Sequence, residues 1–212
     1  IPCGDQRPYR TNRGDYFIRT TSGKRRASRQ ELLRLFQATE TFYYDEIPVL
    51  RATLLDIDRY AFENFVKQAY QSTIEGLNIH YEDLLRNLGY IHEHSGSFHP
   101  IMATLLFFGR DPQKFFPHAH IVAARFSSVD ISSPPSDNKI INGTASTLLE
   151  NALRFLYIHL KKPHRIKGIE PEAHPELPEE ALREIVVNAL AHRDYTITAP
   201  VRIFVFDNRV EI

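Results

Sequence analysis

The sequence predicts a mixed α+β protein, on three observations. Residues 178–195 (PEEALREIVVNALAHRDY) have a long helical pattern, and an alternating strand pattern follows at 201–206. Residues 15–20 (DYFIRT) have strand composition, with Arg13-Gly14 before and Ser22-Gly23 after as turn signals. Between these ends lie segments of helical periodicity at 32–36, 58–73, 81–88, 100–108 and 145–160. The expected organisation is a β-rich end at 1–30, a helical middle unit at 31–126 and an α/β unit at 127–212.

The helix at 178–195 is the most informative stretch. Pro178 suits a helix start, and Glu179 and Glu180 stand where the dipole favours negative charge. Leu182, Ile185, Val186, Ala189 and Leu190 form a core-facing stripe. Glu184, Asn188 and His192 form a second, polar line. Val187 and Ala191 are apolar as well, so the helix is expected to be covered on most sides. A Glu and an Asn one turn apart there need a metal, a water or a ligand as partner. The bland alternative is hydrogen bonding to neighbouring chain. His192 and Arg193 suit the negative end of the dipole as caps; their functional reading is a phosphate or interdomain contact.

Elsewhere the elements follow in order. Ser28 with Glu31 has the form of a capping box ahead of Leu32, Leu33, Leu35 and Phe36. Pro48 interrupts a connector at 37–57, and Gly76 is the expected stop of the 58–73 helix. The helix at 81–88 ends at Gly89, a short strand is expected at 90–92, and Pro100 is expected to open the helix at 100–108. Asp111-Pro112 reads as a turn and 120–126 (HIVAARF) as a strand. A Ser/Pro-rich loop at 127–143 is the expected mobile boundary, and prolines punctuate a connector at 161–177. Asp207-Asn208 is the turn after the last strand, with Val210-Glu211-Ile212 returning.

Charge is balanced overall, 26 basic against 26 acidic residues, but unevenly placed. Residues 1–30 carry eight basic residues against Asp5 and Asp15, which is the footprint of a polyanion partner. Arg19, Lys24, Arg25 and Arg26 are the candidate DNA contacts at the hairpin; a solvated basic turn is the commoner fate of such a run. A single cysteine, Cys3, excludes a disulfide framework and points to the reducing cytoplasm. No apolar run approaches the ~20 residues of a membrane span. The start (IPCGDQRPY) has neither a signal-peptide pattern nor an initiator Met, and the end (RIFVFDNRVEI) stops in mid-sheet by pattern, so both read as cuts from a longer chain.

EALREIVVNALAHRDY resembles the N-box helix of the GHKL ATPases, and more closely the C-terminal domain of bacterial RecG-related DNA helicases or transcriptional regulators. That resemblance implies Glu184 as the residue that primes water and Asn188 as a Mg²⁺ ligand, with ATP and Mg as cofactors. Asp207 would then stand where the family reads adenine; a β-turn Asp is the plain alternative. PYRTNRGDYFIRTTSGKRRAS resembles the last hairpin of the Schlafen AlbA-like DNA-binding domain, with Thr21 where glycine is usual. LLRNLGYI and LLFFGRDPQKFFP resemble the middle segment of the RecG-related proteins, and two short helices with a hairpin suggest a winged-helix-like unit lacking a basic recognition helix.

These resemblances imply DNA and a nucleotide as partners, with a homodimer as the expected assembly. No G-x-x-x-x-G-K-[ST] occurs, so no P-loop helicase motor is present, and no glycine follows Gly168 to form the GHKL lid. The expectation is therefore a DNA-binding transcriptional regulator whose GHKL-like domain binds a nucleotide or is a degenerate scaffold. The alternative is a Mg-dependent ATPase acting on nucleic acid. His92-x-His94 and His118-x-His120 lack a third ligand at metal spacing, and Cys3 lacks a partner for nucleophilic work.

Overall fold

A computed structural model describes residues 8–38, 43–160, 164–167, 170–173 and 177–212. It is a mixed α+β protein organised on the strand β5 (Ile121–Arg125). β5 pairs in parallel with β9 (Val201–Val205) and antiparallel with β6 (Asp137–Ile141). β10 (Val210–Glu211) closes the four-stranded sheet on the far side of β9.

Alternation along the strands sorts the two faces. Ile121, Ala123, Ile141, Ile203 and Val205 meet the helices α6 (Ala145–His159) and α7 (Glu179–Ala191) in one aliphatic core. The other face is aromatic: Phe126 stacks on Phe206 at 5.2 Å and meets Phe204 edge-on at 5.7 Å. This sheet crosses the boundary expected at 126/127, since β5 precedes it and β6, β9 and β10 follow.

The middle of the chain packs on Phe62, which is fully buried in α2 (Arg59–Tyr70). The rings of Phe108, Tyr81, Tyr90 and Phe65 surround it at 5.5, 5.6, 6.1 and 6.2 Å. They come from α2, α3 (Tyr81–Asn87), the start of the hairpin of β3 (Ile91–His94) and β4 (Ser97–Pro100), and α4 (Met102–Phe108). Thr104, buried in α4, satisfies its hydroxyl by donating to the Tyr90 carbonyl at 2.6 Å.

Gln113, on the one-turn helix α5 (Pro112–Phe115), ties this unit to the sheet. Its amide nitrogen donates to the carbonyls of Ala119 and Gly143 at 2.6 and 2.9 Å, and its oxygen accepts from the Gly143 N–H at 2.9 Å. Gly143 has φ +123°, and a Cβ there would meet Thr147 at 2.9 Å, so this turn requires glycine.

Several expected boundaries move. The 58–73 helix ends at Tyr70 because Gln71 takes a left-handed cap, φ 52°, five residues before Gly76. Pro100 does not open a helix: it closes β4, its carbonyl accepts from the Val49 N–H, and α4 starts at Met102. The loop expected at 127–143 contains β6, which buries only Ile141 and so carries little strand pattern. The connector expected at 161–177 contains an antiparallel pair, β7 (His164–Lys167) and β8 (Glu170–Ala173); its remainder up to residue 176 lies outside the described residues. Among the described residues, no helix is long and apolar enough to cross a membrane.

Phe62→Ala is expected to cost about 3–5 kcal/mol, because four rings lose their common partner. Urea unfolding at an unchanged m-value is the check.

Candidate functional site

Two surfaces carry the residues singled out in the sequence. The first is the hairpin of β1 (Phe17–Thr20) and β2 (Gly23–Arg26), whose register pairs Phe17 with Arg26, Ile18 with Arg25 and Arg19 with Lys24. Alternation then places Phe17, Arg19, Lys24 and Arg26 on one face. All four are exposed, Lys24 Nζ lies 5.9 Å from the centre of the Phe17 ring, and Arg26 pairs with Asp15 at 3.0 Å.

Arg25 stands on the opposite face. Its guanidinium grips both carboxylate oxygens of Glu31 at 2.8 and 2.6 Å. Glu31 in turn closes the capping box of α1 (Arg29–Gln37) by accepting from the Ser28 N–H at 2.9 Å. Tyr16 meets Phe36 edge-on at 5.8 Å, which holds the hairpin to this helix. Three of the four candidate cations therefore share an outward face, and the fourth is committed to α1. The aromatic residue among them was legible in the alternation of residues 17 and 19.

The second surface is α7. Its buried side chains are Leu182 and Val186; Ile185 is 49% exposed, and Ala181 and Ala191 are exposed. The helix is thus covered along one stripe and not on most sides, because both α6 and the sheet lie on that stripe. Glu184 and Asn188 face outward, and the Asn188 side-chain nitrogen donates to Glu184 Oε1 at 3.2 Å. The i,i+4 spacing brings the pair together, so each side chain has the other as a partner.

His192 caps the helix with its backbone N–H on the Asn188 carbonyl, its side chain exposed. Arg193 points elsewhere: it donates to the carbonyls of His118 and Ala199, each at 2.8 Å, and lies 4.5 Å from the centre of the Tyr195 ring. Burial pulls its pKa down from the ordinary guanidinium value. Asp194, not among the residues expected at a site, pairs with Arg34 of α1 at 3.0 Å and accepts from the Thr196 N–H at 2.9 Å. The Asp-x-Thr spacing is the local signal for that turn.

Asp207 lies at the β9–β10 turn, where the nearly buried Arg125 donates to it. Asp207 and Ile185 line one cavity of 370 Å³, together with Leu182 and Arg209; Glu184 and Asn188 are not part of its wall. Among the described residues no group of three His, Cys, Asp or Glu can hold a metal ion. What α7 offers is one amide oxygen and one carboxylate, a set that suits Mg²⁺ whose other ligands are phosphates and waters.

Glu31 provides a pH test of the hairpin's anchor. The Arg25 hydrogen bonds, then those from Ser28, hold its pKa at about 2 against an ordinary 4.5. A depressed carboxylate pKa adds stability that is complete above the unfolded value and lost as pH falls through the folded one. Amide protection at the start of α1 is therefore expected to decline from about pH 4.5 down to about 2. In Arg25→Ala the Glu31 carboxyl should titrate at higher pH by NMR.

No family model matches the chain, and no curated protein matches it. Solved structures do match. One is the crystal structure of the DIP2311 protein from Corynebacterium diphtheriae, at TM-score 0.53 and 19% identity. The likeness covers 91% of this chain and 36% of that one, so the present chain spans about a third of the longer protein. At that identity the likeness is one of fold.

Proposed function

We propose that this chain belongs to a cytoplasmic DNA-binding transcriptional regulator of the RecG-related kind. On this reading, 1–30 is the end of an AlbA-like DNA-binding unit, the helices and hairpin before β5 are a winged-helix-like middle, and the sheet that starts at β5, with α6 and α7, is the start of a GHKL-like domain. The observation that carries it is the hairpin face bearing Arg19, Lys24 and Arg26 around an exposed Phe17. Cations on a two-stranded ribbon neutralise phosphates, and an aromatic ring among them adds a surface for a sugar or base. In the middle unit, Arg86 on α3 is paired with Asp83 at 2.7 Å beside Glu82. The expected assembly is a homodimer.

A second reading, a Mg-dependent ATPase, is favoured by the outward Glu184–Asn188 pair. Asn188 would hold the cation of Mg-ATP, which supplies charge neutralisation at the phosphates. Glu184 would accept a proton from water. His192, at the end of the same helix, is the remaining candidate for a phosphate contact, whereas Arg193 is occupied by carbonyls.

Binding to duplex DNA is expected to weaken steeply with salt. Replacing Arg19, Lys24 and Arg26 together by Ala should lower the slope of log K against log salt by about 0.9 for each phosphate that is no longer neutralised. Arg25→Ala should leave that slope unchanged, because Arg25 stands on the opposite face of the hairpin, against α1. A triple variant with the parent's slope would remove the hairpin from the interface. For the second reading, calorimetry should show Mg-ATP bound at least about tenfold more weakly by Asn188→Ala, a difference of about 1.4 kcal/mol. Equal affinity would remove Asn188 as a ligand.

A further inference from the structure

A half-open cavity of 590 Å³ lies between α2, α4 and the first turn of α6, and neither the hairpin cations nor Glu184 and Asn188 line it. Its volume is that of a small-molecule site, and it lies where the middle unit meets the sheet unit. Phe65, Tyr90 and Phe108 form part of its wall and touch one another at 5.3 to 6.4 Å. All three also pack on the fully buried Phe62, so these rings are held in place before any ligand arrives. Phe107 completes the aromatic set and is 53% exposed, unusual for a ring with a core beside it.

The polar part of the wall is equally specific. Asn64 and Gln68 stand one turn apart on α2 and share a face. Neither side-chain amide is hydrogen-bonded to another described residue, so each offers a donor and an acceptor. Among the described residues, no Asp, Glu, Lys, Arg or His lines the cavity. A charged ligand would lose its hydration there without finding a counter-charge.

We propose that this cavity binds a flat, uncharged nitrogen heterocycle of the nucleobase type. The ring stacks on the aromatic wall, and its donor–acceptor edge pairs with Asn64 and Gln68 as amides pair with base edges.

The test is titration of the intact chain with nicotinamide and adenine as neutral probes and nicotinate as the isosteric anion. The expected result is saturable one-to-one binding of a neutral ring at about millimolar or tighter, the range set by so few atoms. Asn64→Ala with Gln68→Ala, and separately Phe107→Ala, should each weaken it by at least about tenfold. These side chains are outside the core, and an unchanged melting temperature confirms that the variants fold. Nicotinate should bind at least about tenfold more weakly than nicotinamide. Asn188→Ala should leave the binding unchanged, which separates this cavity from the α7 surface. Failure of both neutral probes to saturate overturns the proposal. So does binding that survives the variants, that accepts the anion equally, or that is lost in Asn188→Ala.

Discussion

The structure depends on the burial of β5 on both of its faces. Ile121 and Ala123 close the aliphatic layer under α6 and α7, while Ala124 and Phe126 belong to the aromatic layer opposite. A strand so placed must pair along both edges to satisfy its backbone groups. Its parallel partner β9 is reached only after the chain has crossed the sheet, and α6 and α7 are described parts of that crossing. The position of Glu184 and Asn188 therefore follows from the pairing of β5. Leu182 and Val186 hold α7 to the sheet by one stripe, and the carboxylate and carboxamide face outward as a consequence.

The basic hairpin is joined to this framework through α1. Arg25 and Ser28 engage Glu31 at the start of the helix, Tyr16 packs on Phe36, and Arg34 reaches Asp194 beyond the end of α7. Exposed ion pairs contribute about 0–1 kcal/mol each, so the ring contact and the capping box hold the hairpin more than the charges do. Arg193 fastens the same loop to the strand before it, through the carbonyls of His118 and Ala199. The residues around the end of α7 thus serve as a joint between the two ends of the chain. The outward face of the hairpin stays free of that task.

Three surfaces of different chemistry result. One is cationic with an exposed ring, one presents Glu184 and Asn188, and one is an uncharged aromatic cavity with two amides.

Where partners are close in sequence, the residues alone were decisive. Ser28 and Glu31 form the capping box, α7 starts after Pro178, and β9 turns at Asp207-Asn208, all from contacts within a few positions. One helical turn also puts Glu184 and Asn188 on one face, but their exposure and their bond to each other follow from the single stripe by which α7 is held. What the tertiary structure decided involves partners far apart in the chain. Edge strand β6 has almost no apolar pattern and exists because β5 offers it a ladder. Arg125 takes Asp207 across 82 positions, and Arg193 takes His118 across 75. Which cations face outward and which are neutralised is a matter of such encounters: a side chain's charge is written in its identity, but whether that charge remains available depends on what folding brings beside it.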